Sequence, residues 1–418
     1  MAGDFDKLAL ALSSTMVSTD LLNNLTSILK QENIQSLAAS CQSLLTLERW
    51  SWKLLSEDSI QWINEPIYIE LLHTLASFNQ SLIFDCDTID NNTKISLLLP
   101  ESIDQINRIF QNIDRIDDDD SPYLIIITLV FDNHSYFFLD HLPYCQLAII
   151  DHIGEHLTRN YIMNKQFKVY LSQLQQPHMN QTKITAKMLF YIKTCSFYFY
   201  VYLSTKFQNF FYTADEIVRY LRDDYLRILH THVPAIHEWN KEFLSCIAHL
   251  IGLLCRCCWW GGDMALPMKI LLPTEQVACE YMQDLMTVIS YAPFYSQIKS
   301  QRSNDVTVLL ESCIFFVLDV AETQNVNWLF RANASYQTSL LAVAEAPIND
   351  IICLGAYDIM SVVLADEQIK ALKMHDGAAI LAFNMLRKAW HDPFKMYKQV
   401  PIVNILQGEF LERSSIVQ

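Results

Sequence analysis

Apolar residues recur along most of the chain at the spacing of an α-helix. In residues 217–229 they lie three or four positions apart, which places them on one side of an amphipathic helix. This predicted apolar face consists of Ile217, Tyr220, Leu221, Tyr225, Ile228 and Leu229. A capping box precedes this face. In it, the Thr213 hydroxyl can accept a hydrogen bond from the third amide of the helix, and the Glu216 carboxylate can accept one from the Thr213 amide.

The same pattern predicts helices along the rest of the chain. We expect them near 4–15, 19–31, 34–56, 58–78, 101–114, 144–160, 183–206, 235–258, 274–291, 304–322, 336–345, 348–365, 366–373 and 376–391. A further helix is expected from Pro122, because Ser121 can cap it and proline suits its first position. The β-branched run 124–131 leaves a strand open as the alternative. We favour a helix, since no glycine turn flanks this run to start a hairpin.

Glycine is scarce, and this scarcity favours the helical interpretation. The chain has eight glycines in 418 residues, whereas average usage is about 7 %. Hairpin turns, phosphate-binding loops and nucleophile elbows depend on glycine for positive φ angles or close backbone approach. The chain also has no Gly-x-Ser-x-Gly, Walker or His-Glu-x-x-His motif. We therefore expect an all-α protein that is not an enzyme and has no cofactor.

Composition and charge limit the classes of partner. Half of the residues are apolar, which is enough for a large core. The net charge of −16 argues against nucleic acid as a partner, because nucleic-acid binding requires clustered Lys and Arg. It suits solubility or a protein partner with a basic surface. The first residues do not have the pattern of a signal peptide. The 11 cysteines are an odd number and lie mostly within apolar runs, which is typical of buried free thiols rather than of disulfides. We therefore expect a cytoplasmic protein.

An internal repeat indicates how the helices are organised. Residues 303–322 align with 348–367 at an offset of 45, with Leu309 opposite Leu354 and Ile314 opposite Ile359. This period lies within the ~40–47 residues of armadillo and HEAT repeats, which stack to bury their apolar faces. We divide the chain into an N-terminal bundle or degenerate repeats at 1–85, a central helical region at 101–258 and armadillo-like repeats at 274–418.

The last ~160 residues resemble a known class of helical region. The segments that carry the resemblance are Trp259-Trp260-Gly261-Gly262, Leu271-Leu272-Pro273-Thr274-Glu275-Gln276, Arg302-Ser303-Asn304-Asp305 and Asp366-Glu367-Gln368-Ile369-Lys370. They are similar to armadillo-like regions that lie upstream of a TIR signalling domain in certain invertebrate proteins. The resemblance implies a right-handed α-solenoid without catalytic residues, in which TIR activity would lie beyond Gln418 or be absent. The chain lacks the Trp-x-x-x-Asn ladder with which importin-like armadillo proteins hold a peptide.

Two groups of residues suggest metal binding, although other interpretations fit better. Cysteines 246, 255, 257 and 258 lie near His249, but a helical run directs them to different sides, whereas zinc needs four converging ligands. Core thiols are the favoured interpretation. The second group is the acidic run Asp117-Asp118-Asp119-Asp120. A Ca²⁺ site would need further oxygen ligands and a glycine at the bend of the loop, so a solvated loop before a helix N-terminus is the favoured interpretation.

Histidines and aromatic residues raise other possibilities. His230, His232 and His237 lie close together in sequence. Their nearest carboxylate, Glu238, would leave a helix in a different direction from His237, so a loop or core role is favoured for these histidines. The uncharged run 243–255 is shorter than the ~20 residues of a membrane span, so a buried helix is favoured over a palmitoylated one. Four tyrosines are interpreted as helix-packing and partner-facing: Tyr191, Tyr198, Tyr200 and Tyr202.

Three functions are compatible with these features of the sequence. The first is a non-enzymatic interaction scaffold for a protein partner. The second is a regulatory or oligomerising segment of a TIR-type signalling protein, and the third, more distant, is an enzyme whose site is assembled from residues far apart in sequence. Apolar residues in 400–417 also suggest self-association through the C-terminal end. The sequence does not identify the protein-binding face, which stays unknown.

Overall fold

The computed structural model describes only part of the chain. The described residues are 18–31, 46, 47, 50, 65–84, 107–128, 131, 153, 154, 156–177, 184–208, 216–255, 275–291, 309–314, 316, 317, 339, 340, 342, 343, 356 and 359. Helix accounts for 89 % of them, and none of them is in a strand. The expected all-α class is therefore confirmed for the described part of the chain.

The chain divides into two compact units. The first contains Met1–Phe167 and Ile184–Tyr202, and the second contains Lys168–Lys183 and Leu203–Gln418. Among the described residues, the α-helices with defined bounds are α1 Thr19–Gln31, α2 Pro66–Phe84, α3 Lys165–Leu174, α4 Ala186–Gln208, α5 Glu216–His232, α6 Lys241–Ile247 and α7 Glu275–Ser290. Residues 107–112, 122–128 and 156–162 are also helical.

Side-chain caps explain where several helices begin. The Ser18 hydroxyl accepts from the Leu21 amide at 3.2 Å at the start of α1. The Asn164 carboxamide oxygen accepts from the Gln166 and Phe167 amides at 2.9 and 3.2 Å at the start of α3. Asn240 does the same for Phe243 at 2.8 Å before α6. Short polar side chains thus satisfy amide groups that a helix leaves unpaired.

The core of the first unit is built around α4. All side chains from Phe190 to Tyr202 are buried, on every side of the helix. A helix with this pattern lies inside a protein rather than on its surface. Four of these buried residues are the tyrosines singled out in the sequence, Tyr191, Tyr198, Tyr200 and Tyr202. Their burial agrees with the helix-packing role expected of them, whereas the expectation that they face a partner was wrong.

In the second unit, a break divides the helix that was expected over 235–258. After α5, the chain forms a 3-10 helix at Val233–Glu238, and Trp239 is extended. Asn240 then caps α6, which continues as a π-helix at Ala248–Gly252 and as α-helix through 255. The prediction failed because Asn240 is extended, as a cap residue requires, so the α-helix begins at Lys241 rather than at 235. Pro234, which precedes the predicted helix, cannot continue the hydrogen bonding of α5.

Other boundaries agree or differ in informative ways. The bounds of α1 match the predicted 19–31, and 122–128 is helical as favoured. The expected helix 58–78 instead begins at Pro66, since Glu65 is not helical and proline suits a first helical position. Helix α3 was not predicted. The capping residues 213–215 lie outside the described residues.

The repeat hypothesis falls largely outside the described residues. Leu309 and Ile314 are helical and fully buried, as is Ile359, which the alignment places opposite Ile314. Leu354 and the C-terminal segment 400–417 are not described. No helix in the described part is long and apolar enough to cross a membrane.

Candidate functional site

One side of α5 carries a stripe of exposed side chains. Its members, spaced three or four residues apart, are Tyr220, Asp223, Arg227 and His230, which we call the α5 stripe. The opposite side of α5 is buried and includes Leu221, Tyr225, Ile228 and Leu229. Burial of that side fixes the helix and gives the stripe a rigid support. The sequence-based assignment of Tyr220 to the apolar face was therefore wrong.

Tyr220 is the large aromatic residue of this stripe. Its relative exposure is 54 %, although tyrosine usually covers much of its ring. The Lys168 Nζ of α3 lies 5.5 Å from the centre of the ring, a cation–π distance. Val169, the next residue on α3, is also exposed. An aromatic ring and a cation thus occur together at the surface of the second unit.

At the other end of the stripe, His230 pairs with Asp284 of α7. The His230 Nδ1 lies 2.9 Å from the Asp284 Oδ2. The imidazole is 71 % exposed, whereas the aspartate side chain is 12 % exposed. An imidazole in water is therefore held by a carboxyl group that is almost covered.

The surroundings of Asp284 affect its protonation. Burial raises the pKa of Asp284 above its ordinary value, while the hydrogen bond and charge of His230 oppose the shift and the Glu280 carboxylate adds to it. The pKa of Tyr281, the neighbour of Asp284 on α7, is also raised by burial and by nearby carboxylates such as Asp223. The pair thus lies in an acidic, partly desolvated environment.

His232 has a different role from His230 although only one residue separates them. It is buried, and its Nε2 donates to the Leu174 carbonyl at 2.6 Å. Its ring packs edge-on against Phe243 at 4.8 Å, and its own carbonyl accepts from the Trp239 indole at 3.2 Å. Burial lowers the pKa of His232, an effect that the Leu174 carbonyl opposes. These contacts join α3, α5 and α6, so His232 is structural, in agreement with the expected core role.

Asp224 also connects α5 to the end of α3. The Gln175 carboxamide donates to its Oδ1 at 2.6 Å. Burial raises the pKa of Asp224, and the hydrogen bond from Gln175 opposes the shift. Asp224 is buried next to exposed Asp223, so adjacent aspartates point to opposite sides of the helix. Only Asp223 belongs to the surface of the α5 stripe.

Three members of the cysteine and histidine cluster lie in the described part of the chain. Cys246 and Cys255 are buried thiols outside any disulfide, and the buried His249 donates from Nδ1 to the Ser245 carbonyl at 3.0 Å. Cysteines 257 and 258 lie outside the described residues. Among the His, Cys, Asp and Glu side chains that the structure describes, no group of three could hold a metal ion.

The acidic loop 117–120 is attached to the first helical turn of α4. The Asp119 carbonyl accepts from the Lys187 amide at 2.9 Å, and the Lys187 Nζ donates to the Ile116 carbonyl at 3.1 Å. The Asp119 carboxylate lies 3.9 Å from the same Nζ. All four aspartates are exposed. This agrees with a solvated acidic loop.

Near this loop, the first unit contains a cluster of tyrosines. The hydroxyls of Tyr161 and Tyr198 both donate to the Asn107 Oδ1, the second at 2.9 Å, and the two rings stack at 4.0 Å. The Tyr191 hydroxyl donates to Asp114 at 3.2 Å. Burial raises the pKa of Tyr161. The hydroxyls of these buried tyrosines are paired with the half-buried Asn107 and the exposed Asp114, which is a structural arrangement.

Sequence reasoning missed the pairing of His230 with Asp284. The two residues are 54 positions apart and lie on different helices. One available signal was Asp284 itself, an acidic residue among the apolar Met282, Leu285 and Met286, since a buried carboxyl group needs a partner. Nothing local in the sequence identifies that partner.

No protein-family model, curated protein or solved structure matches the chain.

Proposed function

We propose that the chain is a protein-interaction scaffold, built as an armadillo-like α-solenoid, and that the α5 stripe is one of its contact surfaces. The single observation that carries this proposal is the exposed Tyr220 on a helix whose other side is buried. Tyrosine and arginine are enriched among the residues that dominate binding energy at protein interfaces. The stripe supplies both, at Tyr220 and Arg227.

Rigid support favours binding. The buried side of α5, with Asp224 bound to Gln175 and His232 bound to Leu174, holds the stripe in place before a partner arrives. A preformed surface loses less conformational entropy on association than a mobile one. The net charge of −16 favours partners with a basic surface, because opposite charge accelerates encounter.

The test is capture of partner proteins from native cell extract with the full chain. We expect the double variant Tyr220→Ala, Arg227→Ala to lose proteins that the unmodified chain retains, and the retained proteins to dissociate as salt concentration rises. Leu157→Ala is the matched control, because Leu157 is an apolar side chain, 40 % exposed, in the first unit. Circular dichroism checks that every variant keeps its helix content.

Two results would contradict the proposal. Retention of the same proteins by the double variant would show that the α5 stripe is not a contact surface. Loss of binding in Leu157→Ala alone would place the interface in the first unit. Light scattering on the purified chain would also show whether the captured partner is a second copy, which is what the regulatory and oligomerising alternative predicts.

A further inference from the structure

His230 has the geometry of an oriented nucleophile rather than of an ordinary surface histidine. Its Nδ1 faces the Asp284 carboxylate at 2.9 Å, while most of the ring is in water. A carboxylate can only accept a hydrogen bond, so the hydrogen of the neutral ring is on Nδ1. The lone pair is then on Nε2, the nitrogen that Asp284 does not contact. Histidine nucleophiles and general bases are oriented by an acidic partner in the same way.

The position of Asp284 makes this orientation firm. Helix α7 supplies the carboxyl group and helix α5 supplies the imidazole, and these two helices pack against each other. The Asp284 side chain is only 12 % exposed, so little water competes for its oxygen atoms. A positive charge that develops on the ring during reaction is therefore stabilised by a partner that is already in place.

The charges around the pair select the kind of reagent. Asp223 and Glu280 are exposed carboxylates on α5 and α7, and Asp284 is the third acidic group of the region. Asp223 is paired with the Arg222 guanidinium at 2.6 Å, so Glu280 and Asp284 are the carboxylates that repel anionic donors such as acyl phosphates. Arg227 precedes His230 by one helical turn on the same stripe, where a guanidinium can donate to a carbonyl oxygen that becomes negative. Uncharged carbonyl compounds fit these surroundings best.

We propose that Nε2 of His230 is a nucleophilic acyl-acceptor site for uncharged activated esters, with Asp284 as its positioning residue. The Nε2 lone pair forms a bond to the acyl carbon, and the bond from that carbon to the leaving oxygen breaks, with its electron pair departing on the oxygen. The acylated ring is positively charged and keeps its Nδ1 hydrogen toward Asp284. Water then adds its hydroxyl to the acyl carbon, releasing the carboxylic acid, a proton and the neutral imidazole.

The chain contains a matched control in His237. Its imidazole is 62 % exposed, which is close to the exposure of His230. Its neighbouring carboxylate, Glu238, is 67 % exposed and lies 3.5 Å from Nε2 rather than from Nδ1. The two histidines therefore differ mainly in the burial, distance and direction of the acidic partner. Any general effect of solvent or reagent applies to both.

The first experiment measures acylation of each histidine separately. The full chain is treated with diethyl pyrocarbonate, an uncharged acylating reagent, and peptide mass spectrometry gives a rate constant for His230 and for His237. We expect His230 to react roughly fivefold faster, an effect in the upper range for an exposed ion pair. In Asp284→Leu the two rate constants should become similar, whereas general unfolding would raise both. Equal rate constants in the unmodified chain would overturn the proposal, as would an unchanged ratio in Asp284→Leu.

The second experiment measures turnover with p-nitrophenyl acetate. We expect His230→Gln to reduce the release of p-nitrophenolate and His237→Gln to leave it nearly unchanged. Equal effects of the two variants would overturn the proposal even if the acylation rates differed. Neither experiment depends on a protein partner, so failure of this proposal is distinguishable from failure of the proposed interaction function.

Discussion

The two units place polar groups of similar chemistry in opposite surroundings. In the first unit, the hydroxyls of the buried Tyr161 and Tyr198 meet at the half-buried Asn107. In the second unit, the carboxyl group of Asp284 is covered but its partner His230 is in water. A polar cluster built on buried hydroxyl groups stabilises a fold, whereas a pair with one exposed member keeps an atom available for chemistry or binding. Polar composition alone does not distinguish the two cases.

The largest expected effect is on the buried tyrosine cluster. Asn107→Ala removes the oxygen that accepts from two buried hydroxyls, and we expect it to lower the free energy of unfolding by about 2–3 kcal/mol. Urea denaturation followed by circular dichroism measures this loss. Arg108→Ala, a change at the exposed neighbouring residue, should stay within about 0.5 kcal/mol. Similar losses in the two variants would show that the cluster does not stabilise the first unit.

The next effect concerns pH and the buried histidine of the second unit. The pKa of His232 is lowered in the folded chain from an ordinary value of 6.5. As the pH falls below this value, the unfolded chain therefore binds a proton that the folded chain binds only at lower pH. The stability contributed by neutral His232 is complete above pH 6.5 and is lost as the pH falls toward its folded pKa.

Thermal unfolding across this range tests the prediction. His232→Gln can still donate to the Leu174 carbonyl but does not titrate, so its stability should fall less on acidification than that of the unmodified chain. Asp224 and Asp284 act in the opposite direction, because their raised pKa values let the folded chain bind protons more readily. His237→Gln, at an exposed residue, should keep the acid response. If His237→Gln reduced the loss of stability on acidification as much as His232→Gln does, the buried histidine would not be the source of that loss.

The smallest expected effect is on the stability contributed by His230. We expect His230→Gln to change the free energy of unfolding by less than about 1 kcal/mol, because exposed ion pairs contribute little and glutamine can donate to Asp284. Urea denaturation alongside Asn107→Ala measures the difference directly. A loss as large as that of Asn107→Ala would mean that the exposed pair is a structural element, and the contrast between the two units would disappear.

Sequence patterns predicted the limits of helices well where caps, prolines and the spacing of apolar residues set those limits. The limits of α1 follow from a serine cap and an apolar stripe, and the helix after Ser121 follows from a cap and a proline at its first position. The break at Pro234 and Asn240 was also present in the sequence as proline and cap signals, but the apolar run that follows concealed it. Tyr220 was misassigned because a helical period shows which residues share a side and not where that side ends.

The sequence by itself predicted the helical class and the buried thiols of the described residues, because helix periodicity, caps and scarce glycine act over a few residues. The tertiary structure alone decided which polar residues meet. Asn107 reaches Tyr198, and His230 reaches Asp284 across 54 positions, only after helices pack. The physical reason is that the burial of a side chain and its hydrogen-bond partners depend on neighbours distant in sequence. Burial and partners in turn determine whether a histidine is structural, as His232 is, or available at the surface, as His230 is.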